Sequence, residues 1–218
     1  MVRQVSGRRS GNALRLLAIC GIIAPILYAT VVFILGVLRP SYCHRTQLLS
    51  ELGETGAPNA IIMNTAGFLL LGILLIAFAF GLHRGINEGK GSKIGPALIA
   101  WEGGGYVAVA FFPCDLGCVP VSFSGVMHAW ISMIMMGIGI ILAPFFIAQR
   151  FKNDPRWNNY RLFTLATGVL LVVFGVMFGF IMIKGWTGAI QRIEAGMSLL
   201  WVEIMAIKLL RLSIQPSP

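Results

Sequence analysis

The stretch "IGPALIAWEGGGYVAVAFF", residues 94–112, carries a single charged side chain, Glu102, in an otherwise apolar run. A run of that length suits a helix crossing a bilayer, which needs roughly 20 apolar residues. An ionised carboxylate near its middle is costly unless it faces the protein interior, finds a partner or holds a proton. Gly103, Gly104 and Gly105 weaken an isolated helix relative to alanine, but in a membrane they let a second helix approach closely. The segment therefore reads as a tightly packed central span with Glu102 turned inward. Tyr106 lies one turn further along the same face, so its hydroxyl extends a polar path from Glu102 toward the outer surface.

The rest of the chain agrees. Of its 218 residues, 57% are hydrophobic and only 11% charged, with a mean hydropathy of +0.82. A soluble domain carries about 25% charged residues, so composition alone indicates a membrane protein. Six segments qualify as spans: 13–38, 60–82, 94–112, 123–148, 162–184 and 195–211. Pro25 and Pro144 fall inside two of them, where proline is expected to kink a helix. The expectation is an all-α, single-domain bundle of six transmembrane helices over 1–218. The first apolar run is too long, and too poor in a small-residue cleavage site, for a secretory signal peptide.

A net charge of +9 does not indicate nucleic acid here, because the bases flank the apolar runs. With the N-terminus inside, thirteen lysines and arginines fall on the cytoplasmic side, among them Arg3, Arg8, Arg9 and Lys90. Four fall outside: Arg39, Arg45, Lys184 and Arg192. Positive charge marks the cytoplasmic side, so both termini are expected there. The expectation is a multi-pass protein in contact with membrane lipids. A membrane-protein partner is a second possibility, and no cofactor is expected.

Intramembrane polar residues gather in the outer half. Ser124, His128 and Ser132 recur at four-residue spacing along span four and form one stripe. Asn64 stands near the outer end of span two, and Glu203 near the middle of span six. Glu194 is assigned to an outer loop. Glu102 and Glu203, at similar depth with no intramembrane base nearby, are expected to approach one another and share a proton, since two ionised acids in low dielectric repel. A buried histidine or asparagine can equally do no more than hydrogen-bond the next helix. Span five, with only Thr164 and Thr167 near its inner end, is expected to face lipid.

Two outer loops carry the remaining polar chemistry. In the first, "RPSYCHRTQLLSELGETGAPNA", Thr46 to Leu52 fits a short amphipathic surface helix with Leu48, Leu49 and Leu52 on its apolar side. His44 and Ser50 are its site candidates. The next outer loop, "FPCDLGCVPVSF", is tight and holds Cys114, Asp115 and Cys118. With Cys43 these cysteines face an oxidising side, and the expectation is one disulfide from Cys43 to Cys114 or Cys118. A small Cys114–Cys118 ring, free thiols, or a metal site using Cys43, His44, Cys114, Asp115 and Cys118 are the alternatives. The metal reading lacks paired C-x-x-C spacing, and no metal is assigned. The inner-side stretch "RFKNDPRWNNY" is expected to be structural, with Asp154 capping a turn and Trp157 and Tyr160 at headgroup level.

No nucleophile elbow, zinc-protease, P-loop or dinucleotide motif is present. A serine–histidine–acid set from Ser50, His128 and Asp115 carries little weight, since any polar membrane protein yields one. The order of "LLSELGETGAPNAIIMN", "FFPCD", "GVMH", "DPRWNNY" and "GAIQR" followed by "LLW" resembles the prokaryotic membrane proteins of domain-of-unknown-function family 998, over roughly residues 20–210. That resemblance implies six spans, the plasma membrane of a prokaryote and no assigned activity. It places the family's S-x-L-G element at Ser50, Leu52 and Gly53, its F-P-x-D element at Phe112, Pro113 and Asp115, and its histidine at His128. The cysteines flanking Asp115 depart from the pattern. Two classes of function follow from the residues. One is a pocket open to the outer half of the membrane that binds or processes a lipid or isoprenoid-like ligand, its head held by Asn64, Glu102, Tyr106, Asp115, His128, Arg192 and Glu203. The other is a non-catalytic accessory subunit of a larger complex.

Overall fold

The computed structural model of the chain describes residues 2–88, 93–181 and 185–214. Lys90 and Lys184 lie outside the described residues, as do the side chains of Arg3, Arg8 and Arg9. Every regular element among the described residues is helical. Six long helices follow the apolar runs. They are α1 (Val2–Leu38), α2 (Ala60–Gly85), α3 (Ile94–Phe111), α4 (Phe123–Phe151), α5 (Arg161–Val176, continued by the wide turn Met177–Ile181) and α6 (Thr187–Ile214). The first five are long and apolar enough to cross a membrane. The sixth is 28 residues long but carries Arg192, Glu194, Glu203, Lys208 and Arg211. The chain is a multi-pass membrane protein.

Each helix packs on the next in sequence, and α6 closes back onto α1, so the bundle is a closed ring. Six antiparallel crossings bring both ends of the chain to one face, where Gly11 in α1 meets Ser213 in α6. Phe33, Val169, Leu170 and Val173 point outward, the last three from α5, the lipid-facing helix expected from its composition. Phe68, Leu71, Leu75, Phe78, Tyr106, Trp201 and Met205 fill the interior.

The glycines of α3 do what their spacing implies. A Cβ on Gly103 would stand 2.8 Å from the carbonyl oxygen of Gly72 in α2, and one on Gly105 would stand 2.9 Å from Met135 and Met136 in α4. Gly72 in turn faces the carbonyl of Gly103, so the α2 and α3 backbones touch with no side chain between them. The Met135–Met136 segment belongs to a π-helical stretch, Ser132–Gly137, and α2 contains another, Met63–Leu69. Such wide turns re-aim side chains within a helix. Replacing Gly72 with valine must push α2 off α3. We expect a loss of about 1–3 kcal/mol, the usual cost of overpacking, read as a lowered midpoint of thermal unfolding in detergent. An unchanged midpoint would rule out the backbone contact.

Candidate functional site

At the end of the bundle opposite the chain termini, loop 39–59 folds over the helices as a cap. Its short element is a 3-10 turn, Leu49–Gly53, and not the longer surface helix expected from Thr46 to Leu52. Leu49 and Leu52 are buried against the bundle instead of lying at the membrane surface. The acids of "LSELGE" build this cap. Glu51 accepts hydrogen bonds from the Leu48 N–H and the Gln47 side chain, both at 2.7 Å. Glu54 pairs with Arg39 at 2.5 Å and accepts the Gly117 N–H at 2.6 Å. Gln191 in α6 accepts the Leu49 N–H at 2.7 Å.

The expected inter-loop disulfide is corrected by the structure. Cys114 bonds Cys118, and Cys43 is free and exposed. Gly117 and Cys118 both take the left-handed backbone conformation, with φ of 64° and 53°. That turn folds the five-residue segment 114–118 back and brings the two Cα atoms to 4.9 Å, inside the range a disulfide spans. Hydrogen bonds hold the two loops together in its place. The Thr55 N–H donates to the Cys114 carbonyl at 2.8 Å, and Cys114 Sγ lies 3.5 Å from the Ser50 carbonyl. The Thr46 hydroxyl beside Cys43, then the N–H groups of Arg45 and Thr46, pull its thiol down to about 7. Iodoacetamide should therefore label one outer cysteine in unreduced protein, with a half-maximal rate near that pH. A midpoint near ~8.5, the value of a free thiol, or labelling at three cysteines would contradict this arrangement.

Several site candidates have structural partners. Asp115 accepts the Val121 and Ser122 N–H groups at 2.8 and 2.7 Å and the Ser122 hydroxyl at 2.7 Å. These bonds hold its carboxyl below the ordinary range. Ser122 then caps α4 by accepting the Gly125 N–H at 3.1 Å. His128 Nδ1 bonds the Phe112 carbonyl at 2.8 Å, which ties α4 to the end of α3. The carbonyl can only accept, so Nδ1 carries the proton and a neutral His128 has its lone pair on Nε2. Asn64 donates to the Gly53 carbonyl at 3.0 Å, while its Oδ1 is buried with no partner among the described residues. His44 is exposed and stands edge-on to the Tyr42 ring at 5.1 Å. No hydrogen bond links Ser50, His128 and Asp115 among the described residues.

The acids inside the bundle are arranged differently from the expected Glu102–Glu203 pair. Glu102 and Tyr106 are buried on one face of α3, as their spacing implies. Glu102 and Glu203 share no hydrogen bond among the described residues. Glu194 was assigned to a loop, but α6 begins at Thr187, two turns before it, and buries it against Gly175 of α5. Tyr106 follows Glu102 by one helical turn. Its ring contacts Tyr28 at 6.2 Å and Phe68 at 6.3 Å, and Phe68 in turn meets the His128 ring. Among the described residues the side chains of Glu102, Glu194, Tyr28 and Tyr106 make no hydrogen bond. Glu203 sits deeper on α6, by roughly 14 Å relative to Glu194 at ~1.5 Å per residue.

Glu203 instead lines a lateral groove of about 500 Å³ between α1 and α6. The walls are apolar and include Pro25, Ile26, Val32, Leu199 and Leu200, with Leu49 of the cap at the top. Arg192 stands at the upper end. Its guanidinium donates to the Gln47 carbonyl at 2.7 Å, the Gly188 carbonyl at 2.9 Å and the Tyr42 hydroxyl. It also stacks 5.5 Å over the Tyr42 ring, which Arg39 covers at 5.7 Å. Burial pushes the Tyr42 phenol up, against the pull of Arg192. The ion pairs among the described residues are Arg39–Glu54 and Arg156–Asp154, so Arg192 is held by neutral acceptors alone and its Nε is buried without a partner. Tyr28 joins the two regions, because it lines the groove and also packs on Tyr106. Arg192 and Glu203 are among the candidates read from the sequence, whereas Tyr28, Tyr42 and Glu194 are not.

No curated protein and no solved structure matches the chain. The model of the family described as "Protein of unknown function (DUF998)" matches residues 22–208, and the chain belongs to that family.

Proposed function

We propose that the protein binds an anionic amphiphile taken from the surrounding lipid, with its tail in the α1–α6 groove and its anionic head on Arg192. The observation that carries this reading is a guanidinium at the mouth of an apolar groove, bonded only to neutral acceptors. Arginine presents a planar fork of donors suited to phosphate or carboxylate. A half-buried cation without a counter-charge is satisfied by an anion that brings one. The volume falls within the roughly 300–1,000 Å³ of small-molecule sites. The excess of lysine and arginine at the opposite end supports an outward-facing cap and cytoplasmic termini, so the head would come from the outer leaflet. Binding, not catalysis, is the activity proposed.

Full-length protein in an uncharged maltoside detergent should bind dodecyl phosphate saturably. Arg192→Gln should weaken that binding about 10–100-fold, as loss of a charged hydrogen bond worth about 1.5–3 kcal/mol requires. Dodecanol should bind both forms equally. Equal affinity of both proteins for dodecyl phosphate, with Arg192→Gln folded, would refute the proposal.

A further inference from the structure

We propose that the groove takes an amphiphile polar at both ends, with an anionic head on Arg192 and a hydrogen-bond donor, an amine or hydroxyl, received further down by Glu203. The inference rests on the anionic-head reading and adds what the far end of the ligand must carry.

Arg192 and Glu203 both line the groove and belong to the same helix. Eleven positions separate them, three helical turns at 3.6 residues each, so they share one face about 16 Å apart. Between them α6 contributes Ala195, Gly196, Leu199 and Leu200, and α1 faces these with Pro25 and Ile26. The two charges are of opposite sign and too far apart to satisfy each other. The remaining polar groups of the groove do not reach Glu203 either. The Thr30 hydroxyl donates to the Ile26 carbonyl at 2.7 Å within its own helix. Lys208, the next base along α6, places its ammonium 5.6 Å over the Tyr160 ring. Among the described residues Glu203 makes neither an ion pair nor a side-chain hydrogen bond.

A lipid with a plain hydrocarbon tail would lay methylenes against that carboxyl, near the middle of a 28-residue helix. A polar group there without a partner is costly. A donor carried on the ligand removes that cost and fixes its length. The 16 Å span corresponds to an extended chain of about twelve carbons with ordinary C–C geometry. Charge complementarity at both ends therefore selects an amphiphile from the lipid phase with an anionic group and a donor at that separation.

The test compares dodecyl phosphate, ω-aminododecyl phosphate, octyl phosphate and ω-aminooctyl phosphate on full-length protein in maltoside micelles. Wild type should bind ω-aminododecyl phosphate at least about tenfold more tightly than dodecyl phosphate. The octyl compound, too short to span the two groups, should show no gain over octyl phosphate. Glu203→Gln should erase the gain, so that this variant binds the two twelve-carbon ligands equally. Arg192→Gln should weaken both twelve-carbon ligands alike. Equal binding of the two twelve-carbon ligands by wild type, a gain that survives Glu203→Gln, or a gain already present at octyl length would overturn this inference. The anionic-head reading would then stand if Arg192→Gln still weakened dodecyl phosphate, and would fall if it did not. The chain-length comparison needs only wild type, so the outcome does not depend on the folding of a variant.

Discussion

Arg150→Ala is expected to destabilise the protein by about 3–5 kcal/mol, because it leaves several buried backbone acceptors without their donor. Arg150 lies in the last turn of α4 with 1% of its surface exposed. Its guanidinium reaches across to the end of α2. Nε donates to the Asn87 carbonyl at 3.0 Å, and Nη2 donates to the carbonyls of His83, at 2.6 Å, and Ile86. The last carbonyls of a helix have no partner within it, and they carry the negative end of its dipole. Arg150 thus caps α2 from a helix more than sixty residues away. Alanine would leave these buried acceptors empty, at about 1–3 kcal/mol each before relaxation. Arg150→Lys should recover part of the loss, because it restores charge but not the fork. Thermal unfolding in detergent distinguishes the cases, and an alanine variant as stable as wild type would remove Arg150 from the cap.

That role was invisible in the sequence, where Arg150 read as one more positive charge on the cytoplasmic side. Apolar run length decides where long helices form, and it marked all six, of which five are long and apolar enough to cross a membrane. It does not say which polar residues at a span end are folded inward. Gln191, Arg192 and Glu194 looked like loop residues because three polar side chains in four positions break an apolar run. In the structure Gln191 and Arg192 are occupied by loop 39–59 and Glu194 is buried beside Gly175. With α6 starting at Thr187 instead of 195, Glu194 joins the buried face of the bundle and Glu203 lines the groove. Glu102 itself was legible, because three adjacent glycines fix the packed side of α3. The disulfide was not, since it depends on two left-handed residues, Gly117 and Cys118, whose backbone no spacing rule predicts. The groove was legible only as its two charges, because its walls come from helices at opposite ends of the chain.

The inner loop after α4 shows the same limit and yields the second large effect, Trp157→Ala. The indole expected at headgroup level is folded into the protein. Trp157 is fully buried, stacked on Phe151 with ring centroids 5.0 Å apart and planes 11° apart, and its Nε1 donates to the Gly85 carbonyl at 3.3 Å. Asp154 sets this geometry. It accepts the Arg156 N–H at 3.1 Å, the Arg156 side chain at 2.6 Å and the Asn87 N–H at 3.0 Å. Burial alone would raise its carboxyl, but these donors outweigh it and hold the group below the usual range. Its contribution is therefore complete above the ordinary aspartate value of ~3.9 and fades only as pH falls through the lower folded value. Removing the indole leaves a cavity beneath loop 152–160, and aromatic-to-alanine changes in cores cost about 3–5 kcal/mol. Trp157→Phe should keep most of the packing and lose about 1 kcal/mol for the missing hydrogen bond. The groove mouth lies at the opposite end of the bundle, so dodecyl phosphate affinity, measured below the unfolding temperature, should be the same in all three proteins. An alanine variant that unfolded normally yet lost the ligand would make the inner loop part of the binding site.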